Sequence, residues 1–351
     1  MIIHFLTRAN ICLLLVAMGF ASCGIEKASG DLDEMYGSAV VLIRTESVYQ
    51  LSLNEYGAQT VFYLTFNSQT QKTAIYEKKV DAFANSEVTE GTGFFIDRKG
   101  RIATNRHVVG TFSQQDKRQL MTLMRDYSSE FLRTLRQKED ELVVSIRESY
   151  EDNIEDLQEQ LATTREWIAT YNRLFAMLDG GSLTEESRVS VAYKNNFSGK
   201  SSSYHEVDVV FQSEDDEVDL AVLQLPNRNT PEQVIEFYVP TYEEAKEIIF
   251  EPLDPVVIIG YNLGSEVGET PQGLQAQLLR GNISQAATHP IRIMYNISTE
   301  SGSSGSPVLD EDGNLLAVNY AGRINTQLKY GIRIEHLARI LDENNLREIP
   351  E

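Results

Sequence analysis

Three short segments carry residue types that together could transfer an acyl group. Thr104-Asn105-Arg106-His107-Val108-Val109 sets an imidazole directly after what reads as a pair of strands. Val218-Asp219-Leu220-Ala221-Val222-Leu223 sets a carboxylate at the head of an apolar strand, where burial is costly unless the group is hydrogen-bonded. Ser301-Gly302-Ser303-Ser304-Gly305-Ser306-Pro307-Val308 sets a hydroxyl between glycines that permit a tight backbone. Acyl transfer needs a nucleophile, a base to take its proton, an orienter that holds the base, and N–H donors where the oxyanion forms. Ser304, His107 and Asp219 are candidates for the first three roles, and the backbone N–H groups of Gly302 and Ser304 for the fourth. Taken singly, each segment also has a plain reading: a surface histidine, the end of the acidic run Glu214-Asp215-Asp216-Glu217, and a flexible Ser/Gly loop. His205, His289 and His336 are read as surface residues.

The elements around these segments must position them. Gly91 to Thr104 reads as two strands about a turn, with Asp97 and Gly100 as the turn residues. Val40-Val41-Leu42-Ile43, Val61-Phe62-Tyr63-Leu64-Thr65, residues 205–225 and most of 254–334 are strand-like, which predicts a mainly β barrel or sandwich. Leu337, Ile340 and Leu341 place an apolar stripe on a closing helix from Ile334 to Asn345.

Residues 113–178 break the pattern. They contain no Gly or Pro and are rich in Glu, Arg, Leu and Gln. Tyr150, Ile154, Leu157, Leu161, Thr164, Ile168, Tyr171, Phe175 and Leu178 recur in steps of four and three, a heptad seam. Leu120, Met124, Tyr127 and Phe131 begin a similar one. A single helix of that length would run ~100 Å, so a helical hairpin is expected, turning in the polar run Arg136 to Glu141 and stopped by Gly180-Gly181. Such an arm is either structural or a surface for a partner or for self-association.

The three segments in the order His, Asp, Ser resemble the trypsin/chymotrypsin-fold serine proteases, above all the HtrA/Deg-like and glutamyl-endopeptidase-like branches. The resemblance covers roughly 88–110, 205–225 and 254–345, and Gly302 to Pro307 fits the Gly-x-Ser-Gly-x-Pro loop with Ser304 as nucleophile. Gly260-Tyr261-Asn262 is similar to the family's Gly-Tyr-Pro, with Asn replacing Pro, and Tyr330 to Ile334 to its last strand. The resemblance implies two six-stranded antiparallel β-barrels, chymotrypsin-like, with a long helical hairpin inserted in the first barrel and a C-terminal helix. His107 and Asp219 are 112 positions apart, and removing the 66 residues of 113–178 leaves 46. The resemblance further implies peptide or protein substrates and no metal or organic cofactor. No propeptide of the kind that ends in a new N-terminal Ile-Val is visible, so activation by N-terminal insertion is not expected. With the chain ending at Glu351, no PDZ domain is expected. Ser298, Asn319, Tyr320, Ala321 and Gly322 would line the substrate pocket. Glutamyl endopeptidases have histidine where Asn319 stands and trypsin-like pockets have an acid where Ser298 stands, so a small or medium apolar pocket is expected. The competing expectation is a catalytically silent protease-fold scaffold whose helical arm binds a partner.

Arg8 followed by an uncharged stretch to Ser22 reads as a signal peptide over 1–22, too short to span a bilayer. Phe20-Ala21-Ser22-Cys23-Gly24 resembles a bacterial lipobox, which implies acylation of Cys23, a tether over 23–35 and a protease domain over 36–351. The alternative is an ordinary signal peptide with an incidental cysteine. A lipid-anchored place in the bacterial envelope, periplasm-facing or on the outer membrane, follows from the first reading. Cys12 and Cys23 are the two cysteines, so the rest of the chain has neither disulfide nor cysteine metal site. The net charge of −21 opposes binding to nucleic acid.

Overall fold

The computed structural model describes residues 32–55, 58–67, 72–110, 114–148, 153–180, 182–194, 203–285, 289–322 and 328–347. Cys23, the segment 1–22 and most of the expected tether lie outside these. Residues 32–36 form a short helix, α1, with Leu32 buried and Tyr36 stacked on Phe237 at 4.4 Å between ring centroids.

The chain forms two compact units. One comprises residues up to Ile43, Glu90–Asn105 and Ser190–Glu351, and the other Arg44–Thr89 and Arg106–Val189. In chain order the first strands are β1 (Val40–Glu55), β2 (Ala58–Asn67), β3 (Lys72–Tyr76), β4 (Val88–Phe95), β5 (Arg101–Thr104), β6 (Ser182–Tyr193), β7 (His205–Glu206), β8 (Asp208–Gln212) and β9 (Ala221–Gln224). The remainder are β10 (Pro255–Gly260), β11 (Glu269–Thr270), β12 (Gly273–Leu274), β13 (Gln277–Gln285), β14 (Arg292–Tyr295), β15 (Pro307–Leu309), β16 (Leu315–Gly322) and β17 (Lys329–Arg333).

In the first unit, β10, β13, β14, β17, β16 and β15 close into a six-stranded barrel. Its core holds Val256, Ile258, Ile283, Ile293, Tyr295, Ile297, Val308 and Ala317. Val256 and Ile258 are two residues apart on β10, the spacing of one strand face. The same unit carries antiparallel ladders of β4 with β5, β5 with β9 and β9 with β8. The expected strand pair about a turn is β4 and β5. Asp97 makes that turn: its Oδ1 accepts from the N–H groups of Lys99 (2.8 Å) and Arg101 (3.2 Å). Gly100 follows at a φ of 73°, where a side chain would be strained. The C-terminal helix, Ile334–Glu343, buries Leu337, Ile340 and Leu341 as its stripe predicts. It also buries His336, which was expected at the surface. The His336 imidazole lies one turn before Ile340 on the covered side of the helix and is bonded rather than solvated. His205 and His289 are exposed.

In the second unit, the part of β1 from Tyr49 to Glu55 pairs with β2, and β2 with β3. A short helix, α2 (Lys79–Ala84), precedes the two long helices α3 (Gln114–Glu148) and α4 (Ile154–Gly180). Tyr49, Leu51, Phe62 and Leu64 of β1 and β2 share one core with Met124, Leu132 and Leu135 of α3 and Tyr171, Leu174, Met177 and Leu178 of α4. Here the apolar sheet face is covered by helices, and a covered face does not need closure to leave water. Among the described residues only one closed barrel is formed, against the two expected.

The helical pair turns later than expected. Arg136 to Glu141 is helical, and α3 continues to Glu148. The run has only residues compatible with a helix, and its side chains reinforce it, as in the bond from Gln137 Nε2 to Glu141 Oε1 at 2.9 Å. Arg165 of α4 pairs with Glu139 of α3 at 2.7 Å. Thr164, Tyr171 and Leu178 of the seam are buried, and Leu174 and Met177 join them. Tyr127 is exposed instead. Leu120 and Tyr150 lie outside the residues whose side chains are described. A groove of about 500 Å³ between the helices is lined in part by Phe131, Leu135, Trp167 and Tyr171.

Candidate active site

The loop from Glu300 to Pro307 runs into β15, and its shape is set by where its backbone groups find partners. The Ser301 carbonyl accepts from Leu263 N–H at 2.7 Å, and the Gly302 carbonyl from Thr92 Oγ1 at 2.7 Å. The Ser303 carbonyl accepts from Asn319 Nδ2 (2.7 Å), Ser306 Oγ (2.7 Å) and Ser306 N–H (3.1 Å). The Ser304 carbonyl accepts from Thr92 N–H at 2.8 Å. Four consecutive carbonyls are thereby tied into the same unit. Among the N–H groups, Ser303 donates to Glu300, Gly305 to Asn319 and Ser306 to Ser303. The N–H groups of Gly302 and Ser304 donate to no group among the described residues.

Two glycines make this path possible. Gly302 has a φ of 94° and Gly305 a φ of 87°. A Cβ at Gly302 would collide with backbone atoms of Tyr261 and Gly264, and one at Gly305 with the Thr92 carbonyl and Thr104 Oγ1. Ser303 and Ser306 point inward and are buried, whereas Ser304 is partly exposed. The Ser304 hydroxyl donates to the Tyr320 carbonyl at 3.1 Å.

Thr92 is the residue that sequence reasoning missed. It is fully buried on β4. Its Oγ1 donates to Gly302 and accepts from Tyr261 N–H at 3.0 Å, while its carbonyl accepts from Thr104 Oγ1 at 2.7 Å. One side chain thus joins the strand pair, the end of β10 and the Ser304 loop. Its signal in the sequence is a hydroxyl residue between Gly91 and Gly93, just before Phe94-Phe95. Asn262, which stands where the resembling family has proline, accepts from Glu300 N–H through Oδ1 and so holds the entry to the loop.

Asp219 is 97% buried, two residues before β9. Its carbonyl accepts from Asn105 Nδ2 at 2.9 Å, which ties the end of the β5 segment to the aspartate segment. His107 stands two residues after Asn105, in a 3₁₀ turn from Arg106 to Val109, and is exposed. Within the second unit that turn is held by Thr45 Oγ1, which donates to the Val108 carbonyl at 2.7 Å, and by burial of Val108 and Val109.

The expected pocket residues have different surroundings. Ser298 is exposed. Asn319 is 98% buried, with its amide committed to Ser303 and to Tyr295. Tyr320 is half-buried, its ring 5.2 Å from the Arg292 guanidinium, within cation–π range. The side chain of Ala321 and the surroundings of Gly322 lie outside the described set. Among the described residues no cluster of His, Cys, Asp and Glu could hold a metal ion, and no helix is long and apolar enough to cross a membrane.

Residues 158–318 match the family model described as the trypsin-like peptidase domain. The match supports a peptidase of trypsin-like fold. It covers fewer than half of the 351 residues, begins inside α4 and includes Asp219 and Ser304. His107 lies before it, on the other side of α3. No curated protein matches the chain.

Proposed function

We propose that the protein is a serine endopeptidase in which Ser304 is the nucleophile, His107 the general base and Asp219 the group that orients the imidazole. Ser304 Oγ attacks the scissile carbonyl and gives its proton to His107. The oxyanion accepts hydrogen bonds from Gly302 and Ser304 N–H. His107 then protonates the leaving amine, and water hydrolyses the acyl-enzyme by the same route. The observation that carries this reading is the selective bonding of the loop. Every carbonyl from Ser301 to Ser304 is tied, while the N–H groups of Gly302 and Ser304, beside the partly exposed Ser304 hydroxyl, donate to no group among the described residues. Such donors, fixed before charge develops, contribute the largest single share of catalysis in many acyl transfers. The family match supports the same chemistry.

An HtrA-like affiliation and a small or medium apolar pocket belong to this proposal. So does anchoring of the mature chain in the bacterial envelope through acylated Cys23. Two or more acyl chains would hold the protein stably, whereas one would not. Metabolic labelling with a palmitate analogue tests the anchor: incorporation lost in Cys23→Ala supports it, and equal incorporation refutes it. A fluorophosphonate probe tests the peptidase. Labelling of the wild type that disappears in Ser304→Ala supports the enzyme. A folded wild type that takes no label favours the silent scaffold instead.

A further inference from the structure

The buried amide of Asn319 points to a role other than pocket wall. We propose that Asn319 is a positioning residue that sets the direction of the Ser304 N–H donor, and that Tyr295 in turn sets Asn319. The inference rests on the peptidase reading for its catalytic meaning and on the loop geometry for its structural content.

A peptide unit is planar, and in the trans form its C=O and N–H point in opposite directions. The Ser303 carbonyl and the Ser304 N–H belong to one such unit, and no peptide bond among the described residues is cis. Whatever holds the carbonyl therefore aims the N–H. Three donors hold it: Asn319 Nδ2 and Ser306 Oγ, each at 2.7 Å, and Ser306 N–H at 3.1 Å. Of these, Asn319 alone reaches in from outside the loop, so it fixes the loop against β16. The preceding donor is built alike. The Ser301 carbonyl shares its unit with Gly302 N–H and accepts from Leu263 N–H at 2.7 Å. There the restraint from outside the loop comes from backbone; at Ser304 it comes from a side chain and is open to mutation.

Asn319 is itself oriented. A carbonyl can only accept, so the Asn319 nitrogen must face Ser303 and the oxygen must face away. Tyr295 supplies the matching donor, with its hydroxyl 2.7 Å from Asn319 Oδ1. Tyr295 is fully buried in the barrel core, and the Tyr330 carbonyl, at 3.1 Å, is the farther of the two acceptors facing its single O–H proton. Burial drives the phenol well above its ordinary titration range, so it remains a donor throughout the working range of pH. The chain Tyr295, Asn319, Ser303, Ser304 thus transmits the rigidity of the barrel to one N–H group.

The test uses the full chain with Asn319→Leu, which removes the donor without adding charge, and Tyr295→Phe, which keeps Asn319 but releases its amide. Saturation kinetics with a fluorophosphonate separate binding of the probe from its reaction with Ser304. The expected result for Asn319→Leu is a fall in the maximal rate of labelling by about 100-fold, comparable to loss of one oxyanion donor. The half-saturating concentration should stay within about twofold, a split that a general loosening would not produce. Tyr295→Phe is expected to lose less, about 3- to 10-fold. Rates within twofold of wild type in both variants overturn the proposal. Should Asn319→Leu fail to fold, Tyr295→Phe alone decides by the same criterion. A wild type that takes no label refutes the peptidase reading but not this one. Crystal structures of the wild type and the folded variants then decide: a rotated Ser303–Ser304 peptide in a variant supports the proposal, and an unchanged one overturns it.

Discussion

Replacing Thr92 by valine would test whether one hydroxyl organises the Ser304 loop. Valine has nearly the same shape, so the strand and its packing are preserved, but two bonds vanish. The Gly302 carbonyl loses its donor at 2.7 Å and the Tyr261 N–H loses its acceptor at 3.0 Å. Thr92 is fully buried, so water does not replace either partner without rearrangement. A buried polar group left unpaired costs about 1–3 kcal/mol. With partial relaxation of the loop, Thr92→Val should lose about 3 kcal/mol. Thr92→Ser keeps the hydroxyl and loses one methyl group, worth about 1 kcal/mol. Urea unfolding followed by circular dichroism measures both. The single tryptophan, Trp167, lies on α4 of the second unit, so its fluorescence provides a separate signal from that unit. The result that refutes the reasoning is a serine variant as unstable as the valine variant, because volume rather than hydrogen bonding would then govern the site.

Three further outcomes follow from the same structure. Gly305→Ala should be more damaging than Thr92→Val, since it combines a φ of 87° with a collision against the Thr92 carbonyl; yield of folded protein and melting temperature check it, and a melting temperature equal to wild type would contradict it. Asp97→Ala should loosen the β4–β5 turn by about 2 kcal/mol, because Asp97 receives two N–H groups and the Arg101 guanidinium; a change below about 0.5 kcal/mol in urea unfolding would contradict that. His336 is held neutral: burial pushes its pKa below the ordinary value, outweighing the pull of the Pro290 carbonyl and Glu335, and Arg339 lies against Nδ1. The unfolded chain takes up a proton near pH 6.5 before the folded one does, so this contribution to stability is present above that pH and lost as pH falls, by no more than about 1.4 kcal/mol per pH unit. His336→Gln should flatten stability between pH 7 and 5, and an unchanged slope would contradict it.

The sequence was most legible where local chemistry decides the backbone. Asp97 and Gly100 announce the β4–β5 turn because few residues can cap or bend a chain so sharply. The absence of Gly and Pro across 113–178 announces two helices, and the glycines around Ser304 announce a tight loop. Legibility failed where tertiary contacts choose among locally equal options. Arg136 to Glu141 is polar enough for a turn and helical enough to continue, and residues packed along both helices settle it as helix. His336 sits on a helix whose apolar stripe is clear, but its own burial depends on the Pro290 carbonyl 46 positions away. Asn319 lies in a strand leading to the expected pocket, yet its amide turns inward because Tyr295 and Ser303 supply an acceptor-facing and a donor-facing neighbour. Thr92 looks like an ordinary strand threonine until the Gly302 carbonyl is brought beside it.

The peptidase account is tested most directly by intact mass measurement after exposure to a fluorophosphonate. The account requires one added phosphonyl group, mapped to Ser304, on the wild type and none on Ser304→Ala, with His107→Ala reacting far more slowly. Label on Ser303 or Ser306, or a folded wild type that stays unmodified, would contradict it.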